Sequence, residues 1–196
     1  MEAFSDGVVA ILITIMVLEL AVPHGAQLDD LAPLWPVFLS YILGFFNLAI
    51  WWNNHHHLLQ AAHHVDGRIL WANLHLLFWL SLVPWTTAWM GENDFASLPV
   101  AAVGADLLLA GFAYYLLVRA LIAHEGRRST IAVAIGRDVK GVVSPILYLI
   151  AIPVAFAAPW VSVGLYVAVA AIWFVPDLRI ERRIADPGHD HPPAGD

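Results

Sequence analysis

The sequence predicts an all-α fold, an integral membrane bundle of six transmembrane helices. Hydrophobic residues make up 60% of the 196 residues, and only 13% are charged. The mean hydropathy is +0.72, far more apolar than a soluble core of this size needs. Apolar stretches recur at a length close to the roughly 20 residues that a membrane span requires.

The predicted spans, in chain order, are 5–22, 34–53, 69–90, 99–123, 141–158 and 160–177. Prolines mark several of their ends, as expected where helices start or stop: Pro23, Pro33, Pro36 and Pro99. Only Pro159 separates the last two spans, which predicts a tight helical hairpin. Residues 1–178 are thus expected to form one transmembrane domain. The Pro-, Gly- and His-rich stretch 179–196 is expected to be a disordered cytoplasmic tail.

Charged residues predict the orientation in the membrane. All Lys and Arg residues fall on one side of this topology: Arg68, Arg119, Arg127, Arg128, Arg137, Lys140, Arg179, Arg182 and Arg183. The loops on the other side carry Asp29, Asp30, Glu92 and Asp94 and no basic residue. The positive-inside rule then predicts a multi-pass protein of the plasma membrane with both termini in the cytoplasm.

Composition and missing motifs exclude several function classes. The chain has no cysteine, so disulfides and thiolate metal sites are unavailable. The net charge of −7 gives no sign of a nucleic-acid partner. The chain shows no P-loop, nucleophile elbow or Gly-rich dinucleotide turn. We therefore expect no enzymatic activity and no cofactor.

The first span places a chemically simple stripe on one helical face. This stripe consists of Gly7, Ile11, Thr14, Ile15, Leu18 and Val22. An apolar face with one hydroxyl suits a narrow pore lining as well as a packing seam between helices. Near the outer end, Glu19 fits either an interfacial acid that reaches water or part of a negative ring at a pore mouth.

Polar residues at the predicted cytoplasmic ends form a second group. Ser5 or Asp6 could cap the first helix. Alternatively, they tie this helix to polar residues of the next two, because a buried Asp needs such partners. The candidates for that polar network are Asn53, Asn54, His55, His56, His57 and Asn73.

The histidines at 55–57, 63–64 and 75 resemble a metal cluster at first sight. They lack an HxxHH box and a carboxylate-rich partner set, so we favour a hydrogen-bonded network over a catalytic metal centre. A role in sensing pH is a third interpretation.

Several segments resemble a known family. The run Phe4-Ser5-Asp6-Gly7-Val8-Val9-Ala10-Ile11 resembles the FSD motif that opens the first helix of the lysosomal potassium channel family, transmembrane protein 175 and its bacterial relatives. Residues 51–57, 73–74 and 82–87 resemble the family's second and third helices. Family members usually carry an arginine shortly before the motif, whereas this chain has Met1-Glu2-Ala3 there.

The resemblance implies a homotetrameric cation channel in the lipid bilayer, with the first helices lining the pore. Potassium is the expected permeant ion, and other monovalent cations are further candidates. Ile11, Ile15 and Leu18 would form the hydrophobic constriction and Thr14 a hydroxyl layer for ion coordination. No TVGYG-like run occurs, so a potassium filter of backbone carbonyls is not expected.

The sequence is also compatible with three other functions. The first is a secondary transporter or proton-conducting pathway that uses the histidines, and the second is a His-box metalloenzyme. The third is a structural membrane subunit without transport of its own.

Overall fold

The structure, a computed structural model, describes residues 1–62, 65–126 and 139–174. Within these ranges it contains six α-helices and no strand, which confirms the predicted all-α class. The helices are α1 (Glu2–Leu18), α2 (Trp35–Gln60), α3 (Gly67–Glu92), α4 (Ser97–Glu125), α5 (Val139–Val154) and α6 (Pro159–Phe174). Two short 3-10 turns, Leu28–Asp30 and Ala32–Leu34, lead into α2. The predicted tail 179–196 lies outside the described residues, as do His63 and His64.

Three helix ends differ from the prediction. Helix α1 ends at Leu18, so Val22 lies beyond the helix rather than on its stripe. Helix α2 continues to Gln60, because the polar run after Trp52 contains neither Gly nor Pro and stays helical outside the apolar segment. Helix α5 ends at Val154, and α6 begins at Pro159. The N–H group that proline lacks would have no acceptor within the helix at this first position, so its absence costs nothing.

Helices α3 and α4 make the most extensive contact and form the centre of the bundle. Their buried side chains include Leu76, Leu80, Leu107 and Leu117. Helix α1 packs in the groove between α2 and α3, whereas α5 and α6 cover α4. Within residues 1–62, 65–126 and 139–174, helix α1 therefore lies at the edge of the bundle, with one face packed on α2 and α3 and the other face open.

Aromatic clusters identify the two ends of the bundle. At one end, the rings of Trp35, Phe95 and Trp160 stack against one another, with centroids 4.6 to 6.1 Å apart. At the other end, the Tyr114 ring contacts Trp51 and Trp173 at 5.6 and 6.4 Å. We call the first the acidic end, since it carries Glu19 and Glu92. The second is the basic end, with Arg68, Arg119 and Lys140.

Length and hydropathy are sufficient for a membrane crossing in three segments of the described chain: Leu28–Gln60, Gly67–Glu92 and Ser97–Glu125. Helices α5 and α6 are apolar but shorter. Helix α1 has 17 residues and so extends about 25 Å, near the lower limit for a span. The short α1 brings Glu19 to the edge of the apolar zone.

Candidate functional site

The predicted stripe of α1 lies on its open face. Ser5, Val9, Leu12 and Met16 point into the bundle and are buried. The opposite face carries large apolar side chains that the described part of the chain leaves uncovered: Ile11, Ile15 and Leu18 are 58%, 42% and 81% exposed. Gly7 and Thr14 are exposed on the same face. Among the described residues the stripe is therefore not a packing seam, and it is available to lipid or to another copy.

The Thr14 hydroxyl is oriented by its own helix. Its Oγ1 lies 3.0 Å from the carbonyl oxygens of both Ala10 and Ile11 and donates its hydrogen to them. Because the hydrogen is directed to the backbone, the lone pairs of Oγ1 stay available as acceptors on the open face. An oxygen with free lone pairs can coordinate a cation.

A buried polar relay joins α1 to α2 and α3 at the basic end. Asn73 Nδ2 donates to Ser5 Oγ at 2.9 Å, and His55 Nε2 lies 2.7 Å from Asn73 Oδ1. Ser5 Oγ in turn donates to the Met1 carbonyl at 3.2 Å. Since Asn73 Oδ1 can only accept, His55 carries its hydrogen on Nε2. The three side chains belong to three different helices and are all buried.

A second, half-buried cluster surrounds Asp6. Trp52 Nε1 donates to Asp6 Oδ1 at 2.9 Å. His56 Nδ1 lies 3.5 Å from Asp6 Oδ2 and 3.3 Å from Glu2 Oε1. Because α1 begins at Glu2 and its N-cap residue is Met1, the alternative prediction that Ser5 or Asp6 caps the helix is wrong. Both side chains instead contact neighbouring helices.

Two members of this cluster were not among the predicted site residues. Trp52 precedes His56 by four residues, as Glu2 precedes Asp6, and that spacing places each pair on one helical face. The spacing could have identified both. The predicted Asn53 and His57 stand apart: Asn53 makes no side-chain hydrogen bond in the described part of the chain. The His57 ring contacts His56 edge-on at 6.0 Å.

Glu19 lies just beyond α1, beside Glu92 at the acidic end. Both line a pocket of about 20 Å³ between α1, α2 and α3, which is room for roughly one water molecule. Burial raises the pKa of the Glu19 carboxyl, and repulsion from Glu92 raises it further. The two acids concentrate negative charge at this end of the molecule.

Asp106, an acid in the middle of α4, was also not among the predicted site residues. Its side chain is 4% exposed, and Thr86 of α3 contacts its Oδ2 at 3.2 Å. Its Oδ1 has no hydrogen-bond partner among the described residues. The sequence feature that could have identified Asp106 is a lone acid inside an apolar span, where ionisable groups are costly and rare.

Comparisons with known proteins give a consistent result. The family model described as endosomal/lysosomal potassium channel TMEM175 matches residues 1–84. A potassium channel from Chryseobacterium sp. (strain P1-3) is 49% identical over 186 residues, which is 95% of this chain and 97% of that one. A potassium channel from Chamaesiphon minutus (strain ATCC 27169 / PCC 6605) is 31% identical over 88% of this chain and 91% of its own length.

A solved structure agrees with the fold. It is the crystal structure of a lysosomal potassium-selective channel TMEM175 homolog from Chamaesiphon minutus. The two chains superpose with a TM-score of 0.77 at 29% identity, over 90% of this chain and 95% of that one. Together with the apolar helices, these likenesses identify a multi-pass membrane protein. The chain belongs to the TMEM175 family of potassium channels.

Proposed function

We propose that this protein is a potassium-permeable cation channel, assembled as a homotetramer in which four α1 helices line the pore. The observation that carries the proposal is the open face of α1, where Ile11, Ile15 and Leu18 are exposed while the opposite face is held by the bundle. The likeness to proteins described as potassium channels, one of them over nearly the whole chain, supports a pore rather than a lipid-facing surface.

The packed interior of a single chain also favours a pore that forms between several copies. The pocket beside Glu19 is too small to continue as an ion path through the bundle. The large side chains of α3 and α4 fill the centre of the bundle. An ion path therefore needs surfaces from several copies, and α1 presents its uncovered apolar face at the edge of the chain.

The stripe would control ion passage through the width and the wetting of the pore. Rings of Ile11, Ile15 and Leu18 would form a neck that hydrated ions cross only when it widens or stays wet. A layer of Thr14 oxygens would replace part of the hydration shell of the ion. Glu19 and Glu92 would concentrate cations at the mouth. Other monovalent cations are expected to pass less readily than potassium.

The relay and the Asp6 cluster would hold α1 in position. Ser5, Asn73 and His55 join three helices at the basic end. Asp6 is bound to α2 through Trp52 and thus has a partner other than the arginine usual in the family. The charge distribution supports a plasma-membrane orientation with the basic end, and therefore the start of α1, in the cytoplasm.

The experiment is ion flux through the purified protein in potassium-loaded liposomes, with sodium and chloride as comparison ions. We expect potassium flux to exceed chloride flux. We also expect Ile11→Asn to raise the conductance and relax selectivity, because a polar ring keeps the neck wet.

The matched control is Ile146→Asn, the same change at a residue of α5 that is 51% exposed and lies on the far side of the bundle. It should leave the conductance unchanged. Equal currents and ion preferences in wild type and Ile11→Asn would count against the pore assignment.

A further inference from the structure

We propose that Glu2, Asp6 and His56 form a binding site for a divalent transition-metal cation of the zinc type, which links α1 to α2 at the basic end. The three residues offer two carboxylate oxygens and one imidazole nitrogen from two helices. The binding itself does not depend on the proposed pore.

The distances between the donor atoms suit one shared ion. His56 Nδ1 lies 3.3 Å from Glu2 Oε1 and 3.5 Å from Asp6 Oδ2, and all three donor atoms lie within 4.8 Å of one another. Zinc holds nitrogen and oxygen ligands at about 2.0–2.2 Å in a tetrahedron, so its ligands stand roughly 3.4 Å apart. An ion could therefore bind with small side-chain movements, and a water molecule would complete the tetrahedron.

The imidazole nitrogen is an independent sign of a missing ligand. His56 Nδ1 is shielded from solvent and has no hydrogen-bond partner in the described chain, although the two carboxylates lie 3.3 and 3.5 Å away. A buried polar atom without a partner is costly and rare. A metal ion at this position would satisfy the nitrogen and both carboxylates at once.

The surrounding contacts resemble the support that metal ligands need. Trp52 Nε1 binds Asp6 Oδ1 at 2.9 Å and leaves Oδ2 free. The Gln60 amide nitrogen lies 2.9 Å from His56 Nε2, and the Trp52 ring stacks on the imidazole at 5.4 Å. With its amide oxygen turned to Nε2, Gln60 would accept the ring hydrogen and leave Nδ1 unprotonated for a metal. Such partners orient ligands and raise their affinity.

The charges and the donor types at this site limit which cation it would bind. Two carboxylates meet here, and no Lys or Arg among the described residues is paired with either. Calcium and magnesium prefer all-oxygen sites, whereas imidazole with carboxylates suits zinc and its neighbours. The competing occupant is a proton on His56, which would make an ion pair in place of a metal site.

The test is zinc binding to the full-length protein, purified without a histidine tag, stripped with chelator and titrated calorimetrically at pH 7.5. We expect the wild type to bind one more zinc per chain, at micromolar concentration, than His56→Gln or Glu2→Gln. Zinc held by other histidines persists in both variants, so the difference isolates this site. Trp52→Phe should weaken binding about 10–100-fold, because Asp6 loses its orienting partner.

The matched controls are His57→Gln, the adjacent histidine, and Asp29→Asn, an exposed acid at the acidic end. Both should bind zinc as the wild type does. The Glu2 side chain is 42% exposed, and glutamine has nearly the same shape, so Glu2→Gln should keep the fold. Equal zinc binding by wild type, His56→Gln and Glu2→Gln would overturn the proposal and leave the ion pair. An equal loss in His57→Gln would overturn it too.

Discussion

Asn73 donates a hydrogen bond to Ser5 across 68 residues of sequence, with Nδ2 and Oγ 2.9 Å apart. The contact fixes the rotation of α1 about its axis, because Ser5 has to point into the bundle to accept it. The same rotation turns Ile11 and Leu18 outward. The relay thus determines which face of α1 is available to other copies or to lipid.

Replacing Asn73 by alanine should destabilise the protein. Asn73→Ala would leave the buried His55 Nε2 hydrogen without an acceptor, and Ser5 Oγ would keep only its bond to the Met1 carbonyl. Each unsatisfied buried group costs about 1–3 kcal/mol. The measurement is thermal unfolding of the detergent-solubilised protein.

The control is Asn93→Ala, where the lost side chain is exposed and bonds only the carbonyl of Trp89 in the preceding turn. A shift in melting temperature as small for Asn73→Ala as for Asn93→Ala would show that the relay does not hold α1.

A methyl group at Gly91 should push α2 and α3 apart. A Cβ there would overlap Ser40 Oγ and lie 3.0 Å from the Cα of Val37, and a backbone atom cannot rotate away. Overpacking of this kind costs roughly 1–3 kcal/mol. Gly111→Ala is the matched control, because nothing lies within 4 Å of its Cβ position. That change should be neutral or stabilise by up to about 1 kcal/mol through helix propensity. Thermal unfolding again distinguishes the two, and equal effects would contradict this packing.

Hydropathy predicted the fold well because long apolar runs leave little choice of structure in a membrane. The predicted end of α2, at residue 53, is too early. Asn54 and His57 are polar, as loop residues often are, but they continue the helix. The pairing of Asp6 with Trp52 depends on how α1 and α2 are rotated against each other, and hydropathy does not report rotation. The exposed stripe agrees with the predicted helical face, whereas the pore roles of its residues stay predictions.

Asparagine should be tolerated at Asp106. A buried carboxylate in an apolar span is costly without a cationic partner, and the described neighbours offer only the hydroxyl of Thr86. Asp106→Asn keeps the shape and a hydrogen bond to Thr86, so the melting temperature should be maintained or raised. Asp29→Asn, an exposed change at the acidic end, gives the baseline. A large loss of stability in Asp106→Asn alone would mean that the negative charge itself is needed, for example for a bound cation.

Stability should depend on pH through Glu19. Its pKa is raised by burial and then by Glu92. A raised pKa means that the folded chain holds the proton more tightly than the unfolded chain. The contribution of Glu19 to stability is therefore greatest in acid and declines as pH rises from the ordinary value of 4.5 through the raised one.

Glu19→Gln should flatten this part of the pH profile of the melting temperature, and Glu92→Gln should flatten it less, because burial is the larger cause. Since Glu19 is only partly buried, the effect will be small and weakened by salt. Identical profiles for wild type and Glu19→Gln would refute the assigned cause.

Removing the Thr14 oxygen tests ion coordination with little risk to the fold. Thr14→Val keeps the branched shape, and the lost hydroxyl bonds only the backbone of its own helix, so stability should hardly change. If the oxygens replace hydration water, the variant should conduct less potassium and discriminate less between potassium and sodium in the liposome assay. Thr14→Ser retains the oxygen and should stay close to the wild type. If the Thr14→Val and Thr14→Ser channels conduct alike, the hydroxyl layer has no part in selectivity, and the apolar rings alone form the filter.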